Sequence, residues 1–278
     1  MVDAHQDVFA RVICGEGVPD FYAKDVIGDH ATCLGPIDKF AGPIYEQLNI
    51  CHSMDDYGYA KDSNGDYEIT DCQKHFFADY YTSPQSMKAF DALYENKQGL
   101  QDKFVAFWDA TSSYLTHNPF VMGFDPLNEP YVGNFLKNPS LMMPGNFDKN
   151  RLAPMYSRVF EKYYANDNDS IMFFEPATYP DVIGLFGGII VPVGFEKPPG
   201  GEIGSPNHVL NDHTYCCQLS PDACATGEPD LNLASECYDW HTKRIGMRSA
   251  DAERLGLPLI ISEFGACLTE APCTQEIR

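Results

Sequence analysis

At 278 residues the chain has the length of one large α/β domain, and 44% hydrophobic residues with 22 Gly and 20 Pro give it a globular rather than a disordered composition. With 40 acids against 19 bases, a formal charge of −21, the balance excludes nucleic acid or an anionic membrane as a partner held by charge, and reads as a solubilising acidic surface. No apolar run approaches the roughly 18 uninterrupted residues that a membrane span needs.

Val2-Asp-Ala-His5-Gln-Asp7-Val8 begins like the end of a strand and stops in charged residues. Residues 15 to 80 show little periodicity and read as a long loop region covering a site. Its aromatics Tyr57, Tyr59, Phe76, Phe77, Tyr80 and Tyr81 offer sugar-stacking or lipid-contacting surface, although core packing is the better reading for any one of them. Asp62-Ser-Asn-Gly-Asp66 echoes part of a calcium loop without the residues that complete one, so a polar surface turn is expected. Ser83-Pro84 is a helix start, followed at helical spacing by Met87, Phe90, Leu93 and Tyr94. A second helix is expected after Gly99, with a core-facing stripe of Phe104, Phe107, Trp108, Thr111 and Leu115.

Asn118-Pro119 breaks into Phe120-Val-Met-Gly-Phe124, which reads as a buried strand ended by the polar turn Asp125-Pro126, Asn128-Glu129-Pro130. A helix is predicted through Leu152, Met155, Tyr156, Val159, Phe160 and Tyr163, then a strand at Ser170–Phe174 that ends in Glu175. Gly187–Gly194 reads as a lid or loop edge, because Pro192 and Gly194 suit no central strand. Val209–Tyr215 is the next strand. A cysteine-bearing loop from Cys216 to Cys237 and a helix from Leu233 to Leu255 lead into Leu257-Pro-Leu-Ile-Ile-Ser-Glu263-Phe-Gly265, an apolar run ending in a carboxylate.

Two strand-end glutamates, Glu129 and Glu263, thus stand 134 residues apart (263 − 129) and can meet across a barrel. Facing carboxylates are what glycosidic cleavage requires: one protonated to serve the leaving oxygen, the other ionised to attack or stabilise the sugar centre. Glu175, a third strand-end acid, also faces such a mouth.

The Asn-Glu-Pro turn with the later Ser-Glu-Phe-Gly strand end resembles the family-five glycoside hydrolases, retaining (β/α)8-barrel enzymes. That resemblance implies Glu129 as acid/base, Glu263 as nucleophile and Asn128 as a ligand of the substrate 2-hydroxyl. His5-Gln-Asp-Val-Phe-Ala-Arg11 with Gly15-Glu-Gly-Val-Pro19 is similar, more narrowly, to the endoglycoceramidase branch, and implies sugar contacts for His5 and Asp7. His213-Thr-Tyr215 matches the family's sixth-strand pattern, which implies that Tyr215 bonds the nucleophile and His213 lines the site. The expected partner is a glycosphingolipid or other β-glucoside, with peripheral contact to lipid micelles or membranes, and the reading is of a monomer. No metal or organic cofactor is implied.

The fold expected is an α/β (β/α)8 TIM barrel of which about strands three to seven are present, across one domain, residues 1–278. The C-terminal β-sandwich of the endoglycoceramidases has no counterpart in it, so the reading is of a fragment. Ten cysteines, most of them outside the apolar runs and none spaced Cys-x-x-Cys, argue for disulfides rather than zinc. They and the sequon Asn168-Asp-Ser170 predict a secreted or lysosome-like compartment, the export signal being lost with the missing N-terminus. The activity expected is hydrolysis between glycan and ceramide by a retaining enzyme. The alternatives are a glucosylceramidase, steryl-β-glucosidase or endoglucanase of the same fold, and, from another class, a catalytically inactive glycan- or glycolipid-binding fragment.

Overall fold

The computed structural model describes residues 1–28, 31–48, 50–75, 77–177, 190–215 and 234–265. Five parallel strands, β1 (Val2–Asp3), β2 (Gly123–Asp125), β3 (Ile171–Phe174), β4 (His208–Tyr215) and β5 (Leu259–Gly265), make one sheet in the order β1-β2-β3-β4-β5. A doubly wound sheet reverses its strand order, whereas a barrel wall adds each strand beside the last with its helix outside. The sequential order is therefore that of consecutive staves of a (β/α) barrel, the incomplete barrel that the strand count predicts.

The helices are α1 (Asp20–Ile27), α2 (Asp38–Leu48), α3 (Ile69–Cys72), α4 (Pro84–Tyr94), α5 (Leu100–Leu115), α6 (Ala153–Asn166) and α7 (Ala234–Leu255). The expected start of α4 is present in detail: the Ser83 hydroxyl accepts the Ser86 N–H at 3.2 Å, and Pro84 occupies the first turn, where its missing N–H costs nothing. No helix among the described residues is long and apolar enough to cross a membrane.

Three local readings need correction. The run from Phe120 is strand only from Gly123; Asn118 caps a turn by accepting from the Phe120 and Val121 N–H groups, and Phe120 itself is 93% exposed. In α5, Phe107 points outward while Trp108 is fully buried. The 15–80 region is not a long loop, since it carries α1, α2 and α3. Its helices escape a periodicity reading because α1 has only 8 residues, and α2 contains Gly42 and Pro43 and leaves Phe40, Ile44 and Leu48 exposed. Disulfides Cys14–Cys72 and Cys33–Cys51 close loops of 58 and 18 residues over this region. Cys216, Cys217, Cys224, Cys267, Cys273 and the side chain of Cys237 lie outside the described residues, as do Phe76 and residues 187–189 of Gly187–Gly194. Asp62-Ser-Asn-Gly-Asp66 is a surface turn in which Asp62 Oδ1 accepts the Asn64 and Asp66 N–H groups.

Two packing features set the positions of the strand ends. On the outer side of β2, Phe124, Trp108 and Tyr163 form an aromatic triad with centroids 4.8–5.8 Å apart, and Trp108 Nε1 donates to the Pro126 carbonyl at 3.0 Å. Behind β4, the fully buried Arg244 and Arg248 of α7 each bond Asp212 at 2.9 Å. Arg244 also donates to the His213 carbonyl, and Arg248 to the Asp251 carboxylate. Gly123 is required where it stands: a Cβ there would come within 2.1 Å of the Ile171 carbonyl oxygen across the β2–β3 pair.

Because Trp108 combines full burial with a hydrogen bond to the turn after β2, Trp108→Ala is expected to cost about 3–5 kcal/mol. Urea unfolding of the two proteins reads this directly, and a change under about 1 kcal/mol would show that the triad does not hold β2.

Candidate active site

Along β4 the side chains alternate between the two faces of the sheet. Asp212 and Thr214 point outward, Asp212 to the arginines of α7 and Thr214 Oγ1 to His241 Nδ1 at 2.7 Å. Asn211, His213 and Tyr215 point inward and each meets a carboxylate. Asn211 Nδ2 donates to Asp125 at 2.8 Å, His213 Nδ1 lies 2.9 Å from Glu129 Oε1, and the Tyr215 hydroxyl donates to Glu263 Oε2 at 2.6 Å.

Glu263 reaches that inner face through an irregularity in β5. The β4–β5 register pairs Asp212 with Ile261 but His213 with Glu263, so Ser262 is the extra residue of a bulge. Without it Glu263 would pair with Thr214 and follow it to the outer face. With it, Ser262 Oγ and Glu263 Oε2 both face the His213 ring, at 3.0 Å from Nε2 and 3.5 Å from Nδ1.

Glu129 is placed by its backbone. Its φ of 40° lies in the left-handed region, uncommon for a residue with a side chain, and three side-chain contacts hold the turn there. Gln6 Nε2 donates to the carbonyls of Asn128 and Glu129 at 2.8 and 3.1 Å, and the Glu129 N–H donates to Glu175 Oε2 at 3.1 Å. Asn128, buried, donates back to the Gln6 carbonyl at 3.1 Å. The side chains of Glu129 and Glu263 remain 18% and 33% exposed, within reach of a ligand, whereas those of His213 and Glu175 are each 3% exposed.

His5 lies between two acids, with Nδ1 3.2 Å from Asp3 and Nε2 3.4 Å from Asp7. Asp7 also accepts from the Tyr81 hydroxyl at 3.4 Å, and the Tyr81 ring packs against Tyr131, the residue after Asn128-Glu129-Pro130. Tyr57, Tyr59 and Tyr80 instead cluster with one another.

The electrostatics are those of acids crowded at a strand mouth. Burial, with the Glu129 charge next, pushes Asp7 up to about 6. Burial, then Asp125 and Glu129, push Glu175 well above the usual carboxylate range, and burial pushes Asp125 up to about 8. Burial works against the charged form of His213, yet the hydrogen bond and charge of Glu129, with Glu263 and Asp212, carry its pKa above that of a free imidazole. Two sets of side chains bring ligand-type atoms within 4.8 Å of one another, Glu129–His213–Glu263 and His5–Asp7–Glu16. Both contain a histidine already paired with carboxylates, so charge pairing accounts for the grouping without a metal.

The structure brings Glu129, Glu263, His213, Tyr215 and Asn128 together at the C-terminal end of the sheet, with His5 and Asp7 alongside. Three contributors have little or no signal in the sequence. Gln6 lies buried between the two residues the motif singles out, Ser262 acts through a bulge that no local pattern announces, and Glu175 is visible only as one more strand-end acid.

No family model matches the chain. It is 31% identical over 215 residues to an endoglycoceramidase of Cyanea nozakii and 32% identical over 215 residues to one of Hydra vulgaris, in each case over 77% of this chain. It spans 37% and 36% of those relatives' lengths. Among solved structures it is similar to endo-glycoceramidase II from Rhodococcus sp. in an iminocyclitol complex, with a TM-score of 0.59 and 20% identity, covering 95% of this chain and 48% of that one. The same protein's ganglioside GM3 complex matches with a TM-score of 0.58, 20% identity, and 95% and 49% coverage.

Because folding carries Asp7 into a setting that raises its pKa, the folded state binds its proton more tightly than the unfolded chain does. The cost of keeping Asp7 ionised therefore appears as pH rises from about 4 to about 6 and persists above it. Asp7→Asn is expected to stabilise the protein by about 1–3 kcal/mol at pH 7, the gain shrinking toward zero below about pH 4. Urea midpoints across that range test it, and a pH-independent difference would refute the assignment.

Proposed function

The chain is related to the endoglycoceramidases, a branch of the glycoside hydrolases, and from that premise we propose that it is the site-bearing part of a retaining β-glycosidase that cuts between glycan and ceramide of glycosphingolipids. The observation that carries the reading is the carboxylate pair: one oxygen of Glu129, one of Glu263 and a ring nitrogen of His213 all fall within 4.8 Å of one another. Retaining enzymes hold their two carboxyl groups about 5–5.5 Å apart, whereas inverting enzymes need about 6.5–9.5 Å to admit a water between them.

In this reading Glu263 attacks the anomeric carbon as the bond to the ceramide oxygen breaks. The bonding pair goes to that oxygen, and Glu129 supplies its proton. Water then enters, gives a proton to Glu129 and its oxygen to the anomeric carbon, and Glu263 leaves. The Tyr215 hydroxyl, bonded to Glu263 Oε2, fixes the orientation of the nucleophile. Asn128, His5 and Asp7 are the proposed sugar ligands and His213 lines the site. The substrate class rests on the named relatives and on the ganglioside complex of the Rhodococcus protein. The two described disulfides agree with a secreted or lysosome-like compartment. We also propose a monomer, with peripheral contact to lipid.

Incubation with a ganglioside in detergent is expected to release the intact oligosaccharide and free ceramide, identified by mass. Glu263→Gln and Glu129→Gln are each expected to lower the rate by about 10²–10⁴-fold on this substrate. Binding of glycolipid without release, unaffected by either substitution, would identify a carbohydrate-binding fragment instead; release of a single terminal sugar would identify an exo-acting enzyme.

A further inference from the structure

Glu175 is a carboxylate at the strand mouth to which the double displacement gives no task. It is buried, at the end of β3, and the segment after it is fixed: the Ala177 N–H donates to the buried Asp148 at 2.9 Å. Its two oxygens are separately engaged. Oε2 accepts the Glu129 N–H at 3.1 Å, and Oε1 lies 3.4 Å from His213 Nε2. The opposite side of the same ring touches the Glu129 carboxylate at 2.9 Å. Glu175 therefore grips Glu129 twice, once through the peptide and once through the imidazole.

Both grips bear on something that would otherwise move. The Glu129 backbone sits at φ 40°, where a non-glycine residue stays only if its surroundings hold it, and the Glu175 carboxylate is the acceptor for that peptide's N–H. The His213 ring, which meets Glu129 at one nitrogen, is tethered at the other by Glu175 and Ser262. The charged and titratable groups facing Glu175 among the described residues include Asp125 from β2, Glu129 from the turn beyond it, Asp212 and His213 from β4, and Tyr156 from α6. Burying a carboxyl among three acids is costly for folding, and a glutamine or an apolar residue would spare that cost.

We propose that Glu175 is a positioning residue for the acid/base: it holds the Glu129 peptide and the His213 ring from behind, and so fixes the Glu129 carboxyl against the leaving oxygen without touching substrate itself. This rests on the glycosidase reading. It assigns Glu175 to the first step, protonation of the leaving oxygen, and not to attack by Glu263, whose partner is Tyr215.

The test compares kcat/KM of the full chain for two glycosides of the same glycan. One has a ceramide or alkyl leaving group, which needs a proton. The other has a dinitrophenyl group, which departs without one. Glu175→Leu is expected to lower kcat/KM about 10²-fold for the first, the cost of misplacing a catalytic group by about 1 Å, and to leave the second within a few-fold. Glu175→Gln, which keeps a carbonyl acceptor for the Glu129 N–H, is expected to recover most of the loss. Glu175→Met fills the same space without an acceptor and replaces the leucine variant if that protein does not fold. Hydrogen exchange gives a readout independent of turnover: the Glu129 amide is expected to exchange about tenfold faster in the leucine or methionine variant and at the wild-type rate in the glutamine variant. Equal losses on both glycosides, or an unchanged Glu129 amide, would overturn the proposal. A wild-type chain that turns over neither glycoside would remove the glycosidase reading and this proposal with it, a failure distinguishable because it precedes any substitution.

Discussion

The rest of the site depends on one imidazole. At the C-terminal end of the sheet, Asp3, Asp7, Asp125, Glu129, Glu175 and Glu263 converge from four strands and the segments that follow them. Carboxylates so gathered either repel or shed charge by protonation. His213 stands among three of them, with Glu129, Glu263 and Glu175 at 2.9, 3.5 and 3.4 Å, and Glu129 and Glu263, with Asp212, favour its charged form despite burial. The ring can stand there because its strand is held from the other side. Asp212, one residue earlier and facing outward, is locked by Arg244 and Arg248 of α7, and Arg244 also bonds the His213 carbonyl. A buried ion network outside the sheet and a histidine–carboxylate cluster inside it are thus consecutive residues of one strand.

What could be read beforehand follows from periodicity. Strands that end in an acid, helices opened by Ser83-Pro84 or carrying Leu152 through Tyr163 on one face, and the alternation of β4 all repeat at intervals that local sequence records. The two glutamates were legible as strand-end acids for that reason, whereas His213 and Tyr215 stood out only through the resemblance to the family's sixth-strand pattern. Features that depend on tertiary contact were not. The bulge at Ser262 changes which face Glu263 occupies, yet Ile260-Ile-Ser-Glu263 reads as an ordinary strand. The Gln6 contacts join residues 122 and 123 positions apart, and no local pattern encodes such a pairing. Between residues 15 and 80 the helices α1 and α2 are short or outwardly apolar, and two disulfides tie down a region with few periodic apolar faces of its own.

In the proposed glycosidase reading, the division of labour between Glu129 and Glu263 follows from what surrounds each. Both are partly exposed and both touch His213, so nearness to a cation does not separate them. Their other partners do. Glu263 accepts a short hydrogen bond from the Tyr215 hydroxyl, which fixes the orientation of its carboxylate. Among the described residues no hydroxyl reaches the Glu129 carboxylate, whose hydrogen-bond partner is the His213 ring. Asp7 and the buried Glu175 are acidic neighbours of its side chain. One carboxylate is thus oriented by a hydroxyl and the other by an imidazole, and in the proposed glycosidase reading that difference suits the first to attack and the second to exchange a proton. A symmetric pair at the same spacing would have no fixed order of proton and attack. Unequal surroundings, more than the spacing, make the arrangement chemically directional.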